Sequence, residues 1–123
     1  MKLWLTIGAI LAGIAVLIGA FGAHGLKYKV SDEDLAIFET AVRYHMYHAL
    51  GIFLISIIGF LNYLDHNLLL LPIYFMITGI VIFSGTLYIL VLTNVRWLGA
   101  ITPIGGLCLI IGWFLLAFNI YRS

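Results

Sequence analysis

Charged residues along the chain fall in bands, and between the bands lie stretches free of Asp, Glu, Lys and Arg: Leu3 to Leu26, Tyr44 to Leu64, His66 to Val95, and Trp97 to Tyr121. About 20 helical residues cross a hydrocarbon core of roughly 30 Å, so each stretch is long enough to span a bilayer. Lipid offers no water to satisfy backbone amides, which makes an α-helix the only economical conformation for such a run. The pattern predicts four spanning helices at about 3–23, 32–64, 70–93 and 98–121, in a single transmembrane domain covering 1–123.

Local signals refine the boundaries. Gly25 is placed as a C-cap for the first helix. Ser31 followed by Asp32, Glu33 and Asp34 reads as an N-cap with acids on the first turn, where the helix dipole favours them. Helix 2 therefore begins outside the membrane, with Leu35, Phe38, Ala41, Val42, His45, Ala49 and Ile52 keeping one face at helical spacing. Glu39 and Arg43 stand four apart with the acid first, the favourable order for a helical ion pair. Pro72 suits the first turn of helix 3, and Pro103 lies near the start of helix 4.

Composition agrees with this class: of 123 residues, 64% are apolar and 9% charged, with a mean hydropathy of +1.19. The formal net charge of +1 and the lack of a basic run argue against nucleic acid as a partner. The lone Cys108 excludes an intramolecular disulfide. Helix 1 is expected to be retained, because its apolar run of 21 residues from Leu3 to Ala23 exceeds the 7–15 or so of a signal-peptide core. Lys27, Lys29, Arg43 and Arg96 mark one side against Lys2 and Arg122 on the other. The positive-inside rule then puts the 1–2 and 3–4 connections in the cytoplasm and both termini outside. Tyr28, Trp97, Tyr121 and Trp4 are placed as interfacial anchors.

Small residues form seams. Gly8, Ala12, Ala15, Gly19 and Gly22 are spaced 4, 3, 4 and 3, one face of helix 1. Gly85 on helix 3 and Gly99, Gly105, Gly106 and Gly112 on helix 4 extend the theme. Lipid tails give helices no hydrophobic reason to associate, so close approach at small residues does that work, and bundle packing is the expected role.

The chemistry-bearing residues gather at one end. His24 closes helix 1, and His45 and His48 sit three apart on helix 2, with Arg43, Tyr44 and Tyr47 beside them. The antiparallel course of helices 1 and 2 predicts a polar cluster between them. Three imidazoles can bind zinc, copper or haem iron, but no carboxylate or thiolate joins them, so no cofactor is expected. Hydrogen bonding between helices and a lipid or small polar ligand are the stronger readings. His66 reads as a solvated turn residue. Ser-His-Asp arrangements, strand-following glycine loops and paired carboxylates are missing. In length and helix count the chain is similar to small multidrug resistance exporters, yet its first helix lacks the acid those exporters use.

Four segments, "GAFGAHGLK" at 19–27, "FETAVRYHMYHAL" at 38–50, "FSGTLYILVLT" at 83–93 and "TPIGGLCLIIGW" at 102–113, resemble the membrane family called domain of unknown function 423, related to eukaryotic transmembrane protein 256. The resemblance spans nearly the whole chain. It implies a small four-helix protein of bacterial plasma membranes with no agreed activity, and marks His24, Arg43, His48, Ser84, Tyr88, Thr102 and Pro103 as family positions. The expectation is an all-α, integral membrane four-helix bundle, structural or accessory in role, with membrane lipid as partner. A homo-oligomeric transporter or channel is the alternative, and a metal- or haem-dependent membrane enzyme the third.

Overall fold

A computed structural model describes all 123 residues. Four helices are long and apolar enough to cross a membrane: α1 (Lys2–Leu26), α2 (Asp32–Phe60), α3 (His66–Thr93) and α4 (Arg96–Arg122). There are no strands. The up-down path sets α1 against α2 and α3 against α4, with α2 also packed along α3. The main core lies between α2, α3 and α4, where Ile52, Ile55, Leu69, Ile73, Met76 and Leu109 are buried.

Three of the expected boundaries move, each for a local reason. Helix 1 does not end at Gly25 in a left-handed cap, since no glycine has positive φ; it closes through a five-residue π-turn, Gly22–Leu26. Helix 2 stops at Phe60 rather than 64, because the chain turns through Asn62 at φ 58°. Asp65 then caps α3, its carboxylate accepting from the Asn67 amide at 2.9 Å. Helix 3 accordingly starts at His66, and Pro72 falls inside it rather than in its first turn. The expected cap at Ser31 forms, with its hydroxyl accepting from the Asp34 amide at 3.1 Å.

An internal proline removes one donor and leaves the carbonyl four residues earlier without its helical partner. Here that carbonyl belongs to Leu68, and the Asn119 amide of α4 donates to it at 2.8 Å. Asn119 is 4% exposed, so a buried polar side chain in the last turn of α4 is held by a defect in the neighbouring helix. A second irregularity, the π-turn Ile80–Ser84, is answered similarly. The Thr86 hydroxyl reaches the Ile82 and Phe83 carbonyls and the Thr102 hydroxyl of α4 at 2.7 Å, while Ser84 Oγ donates to the Ala41 carbonyl of α2 at 2.7 Å.

The small-residue seams divide by function. A Cβ added at Gly105 would overlap the Phe83 backbone, and at Gly8 it would stand 3.0 Å from the Phe53 amide nitrogen. Gly19 meets Val42, Gly22 meets Phe38 and Gly112 meets Met76, while Ala15 is fully buried and Ala12 partly so. Gly99 and Gly106 have looser neighbours, and Gly85 has open space around it. Gly85 is therefore not a packing position. Gly51, Gly59 and Gly79, by contrast, all lie against neighbouring side chains.

Two outcomes follow for stability in detergent. Asn119→Leu should cost about 1 kcal/mol, in the range of membrane hydrogen bonds, and the loss should shrink when Pro72→Ala restores the missing amide; equal losses in both backgrounds, measured by thermal unfolding in a double-mutant cycle, would remove the link. Gly105→Ala should lower the melting temperature sharply, whereas Gly13→Ala and Gly85→Ala, which meet nothing within 4 Å, should leave it unchanged or higher.

Candidate functional site

Successive residues on an α-helix are turned by about 100°, so neighbours along α2 face different partners. His45 is 4% exposed and its Nδ1 lies 2.9 Å from the Tyr88 hydroxyl of α3. His48, at 5% exposure, points toward α4 instead. Its Nε2 accepts from Trp113 Nε1 at 2.9 Å, and its Nδ1 lies 2.6 Å from the Tyr44 carbonyl. Indole nitrogen can only donate and a carbonyl can only accept. Those two partners fix His48 as the neutral tautomer protonated on Nδ1, with neither nitrogen free.

Tyr44 and Tyr47 are exposed. Tyr44 packs on Phe83 with ring centroids 4.9 Å apart, beside a groove of about 440 Å³ shared with His48 and Trp113. Arg43 lies toward α1, exposed, and forms neither the expected pair with Glu39 nor any other. The ion pair present is Arg96 with Asp34.

His24 is not brought to His45 and His48. Antiparallel packing sets Gly8 beside Phe53, Gly19 beside Val42 and Gly22 beside Phe38. The His24 turn is thus level with the residues just before Phe38, more than two turns from His45. His24 is exposed on the π-turn that ends α1. No group of three His, Cys, Asp or Glu side chains is placed to hold a metal ion. The expected cluster between helices 1 and 2 is instead a set of α2 residues dispersed around that helix. His66 is exposed at the start of α3, and its Nε2 also meets the Gly59 carbonyl at 2.9 Å, tying α3 to the end of α2.

What α1 and α2 do share is a groove of about 310 Å³, lined by Gly19, Gly22, Phe38, Glu39, Val42 and Arg43 among others. Glycines on α1 leave it open, and Phe38 and Val42 give it an apolar wall. Arg43 is the last charge on α2 before its uncharged stretch begins at Tyr44. Its side chain leans toward the helix N-terminus, as helical side chains do, and its long stem carries the guanidinium outward to the membrane interface. Glu39 stands one turn farther out on the same wall.

Several partners had weak signals in the sequence. Trp113 within an apolar span and Asn119 near its end are polar-tipped residues, each needing a hydrogen-bond partner when buried. Which partner each takes depends on helix rotation, on which spacing alone is silent.

At the aqueous end, Arg96 grips Asp34 with two hydrogen bonds of 2.8 and 2.6 Å, and its Nε donates to Asn94 at 2.7 Å. These contacts dock the α3–α4 connection on the first turn of α2, outside the apolar spans.

The family model described as Protein of unknown function (DUF423) matches residues 18–106. Among curated proteins, the chain is 46% identical to the UPF0382 membrane protein YwdK of Bacillus subtilis over 116 residues, 94% of each chain. It is 50% identical over 116 residues to a UPF0382 membrane protein of Staphylococcus epidermidis, covering 94% of this chain and 93% of the relative. For a UPF0382 membrane protein of Staphylococcus haemolyticus the figure is 45% over 122 residues, 99% and 98% of the two chains. No solved structure matches.

The guanidinium of Arg96 holds the Asp34 carboxyl below its ordinary range. A carboxyl whose folded-state value is depressed stabilises the fold above its unfolded value and loses that contribution as pH falls through the folded one. Hydrogen exchange across 94–100 should therefore quicken on acidification below the normal carboxylate range. Asp34→Asn should show the faster exchange already at neutral pH, with little further change in acid; an acid response that survives this substitution would assign it elsewhere.

Proposed function

The chain belongs to the family described as Protein of unknown function (DUF423), and from that premise we propose a structural or accessory protein of the bacterial cytoplasmic membrane that holds a lipid headgroup in the groove between α1 and α2. The observation that carries this reading is Arg43, an exposed and unpaired cation lining a groove at the edge of the apolar zone. A charge left at membrane depth without a protein partner is costly unless water or a headgroup meets it. Phosphate suits a guanidinium, which presents a planar fork of donors.

The orientation that goes with this reading places the α1–α2 and α3–α4 connections in the cytoplasm and both termini outside, since Lys27, Lys29, Arg43 and Arg96 outnumber Lys2 and Arg122. Lys27 and Lys29 flank the same end of the bundle and add attraction for phosphate-bearing lipid.

Native mass spectrometry of the full chain released from membranes is the direct test. The wild type should retain a phospholipid mass, and Arg43→Gln should lose it at unchanged helicity and melting temperature. A wild-type protein that emerges free of lipid under gentle activation, or an Arg43→Gln variant that retains lipid equally, would overturn the assignment.

A further inference from the structure

The groove carries more than a cation. Glu39 and Arg43 line it together, four residues apart on one face of α2, with Cβ atoms about 6 Å apart by helix geometry. They are in the favourable order for pairing with each other, yet the one ion pair of the chain is Arg96 with Asp34. Both are exposed. Neither Glu39 nor Arg43 makes a side-chain hydrogen bond, whereas Thr40 between them bonds to its own helix at 3.0 Å.

Their order relative to the membrane is fixed by the direction of α2. The helix enters from the aqueous side at Asp32, so Glu39 lies nearer water and Arg43 one turn, about 6 Å, nearer the hydrocarbon. Moving outward along α2, a ligand in the groove meets the cation of Arg43 first and the anion of Glu39 one turn later, with Val42 and Phe38 as an apolar wall beside them and Gly19 and Gly22 opposite. A phosphodiester and an ammonium follow one another in the same outward sequence in a zwitterionic aminophospholipid, whose phosphate and amine are joined by a two-carbon link.

We propose that this groove selects an aminophospholipid of the ethanolamine type, with Arg43 on the phosphate and Glu39 on the protonated amine. The proposal rests on the lipid-holding reading above and adds the headgroup. Glu39 is what discriminates. A purely anionic headgroup such as phosphatidylglycerol meets the arginine equally well but sets no positive charge against the carboxylate. A choline headgroup brings the positive charge without N–H groups, and so forms no charge-assisted hydrogen bond with Glu39.

The gap between α1 and α2 suits a diffusing lipid for a further reason. The α1 helix makes no side-chain hydrogen bond to any other helix: its one such bond joins Thr6 to the Lys2 carbonyl within α1. Its small residues hold it to α2 by close approach, and at Gly19 and Gly22 they face the Val42 and Phe38 side chains that wall the groove.

The test is lipid competition on the full-length protein in mixed micelles, read by native mass spectrometry with chain-matched phosphatidylethanolamine, phosphatidylglycerol and phosphatidylcholine at equal mole fraction. The wild type should retain the ethanolamine lipid over each of the others by about fivefold, the scale of one exposed charge-assisted contact. Glu39→Gln should erase that preference and raise phosphatidylglycerol retention, while Arg43→Gln should lower ethanolamine and glycerol lipids together. Arg43→Lys should keep partial retention, which separates lost charge from lost fold. Equal or greater retention of phosphatidylglycerol by the wild type, or an unchanged preference in Glu39→Gln, would overturn the headgroup assignment and leave the lipid-holding reading standing. Retention of no phospholipid at all would sink both.

Discussion

Inside hydrocarbon, every backbone amide and carbonyl must find a partner in the protein, and this constraint organises the bundle. A regular helix meets it internally. This chain departs from regularity inside α3, at Pro72 and at the π-turn Ile80–Ser84, and each departure recruits side chains. Asn119 of α4 answers the carbonyl that Pro72 leaves open; Thr86 answers the carbonyls of the π-turn and meets Thr102 of α4. The backbone defects thus become points where one helix is registered against the next. A polar residue in lipid is unfavourable unless matched, so each match also disfavours sliding or rotation of the pair.

The same logic separates α1 from the rest. Helices α2, α3 and α4 are joined by His45 with Tyr88, His48 with Trp113, Ser84 with Ala41, Thr86 with Thr102 and Asn119 with Leu68. Helix α1 is joined mainly by shape, its glycines and Ala15 against the backbone and side chains of α2, with His45 directed to the Leu11 carbonyl as its polar contact. Van der Waals contact falls off steeply with distance, so such a seam holds firmly where backbones touch, as at Gly8, and weakly where they diverge. At the groove, Gly19 and Gly22 meet side chains of α2, Val42 and Phe38, rather than its backbone. A three-helix core with one shape-held helix places the exchangeable surface beside α1 without loosening the core.

Much of the fold was legible because bilayer thickness and capping chemistry act locally. Charge-free run length gave four helices, Ser31 gave the start of α2, and Thr93 the approximate end of α3, where Asn94 turns left-handed at φ 60°. Rotation about each helix axis was not legible. In a soluble protein an apolar stripe marks the inward face, but lipid accepts apolar residues on every face, and Leu17, Val81, Phe114 and many others are exposed here. The histidines illustrate the consequence. His24, His45 and His48 share one end of the sequence map, yet helix phase sends His45 to Tyr88 and His48 to Trp113, while the register of α1 on α2 leaves His24 apart. Glu39 and Arg43 were legible as neighbours on one face, but their unpaired state depended on the adjacent groove, which no spacing rule reports.

Within the bundle the polar groups are nearly all committed. His48 uses both ring nitrogens, Ser56 and Ser84 bond to backbone carbonyls, and the buried polar side-chain atoms without a partner are His45 Nε2 and Asn119 Oδ1. These two belong to residues already tied to other helices and lie on different ones, so they offer no common point to a ligand. Recognition by charge is then left to the rim, where side chains remain free to choose a partner. Arg43 and Glu39 are the charged pair on that rim that share a groove with an apolar floor. A ligand that satisfies both carries an anion and a cation and rests against the apolar wall of Phe38 and Val42. The bilayer itself supplies such molecules at high local concentration, so even a modest preference at this groove would keep it occupied.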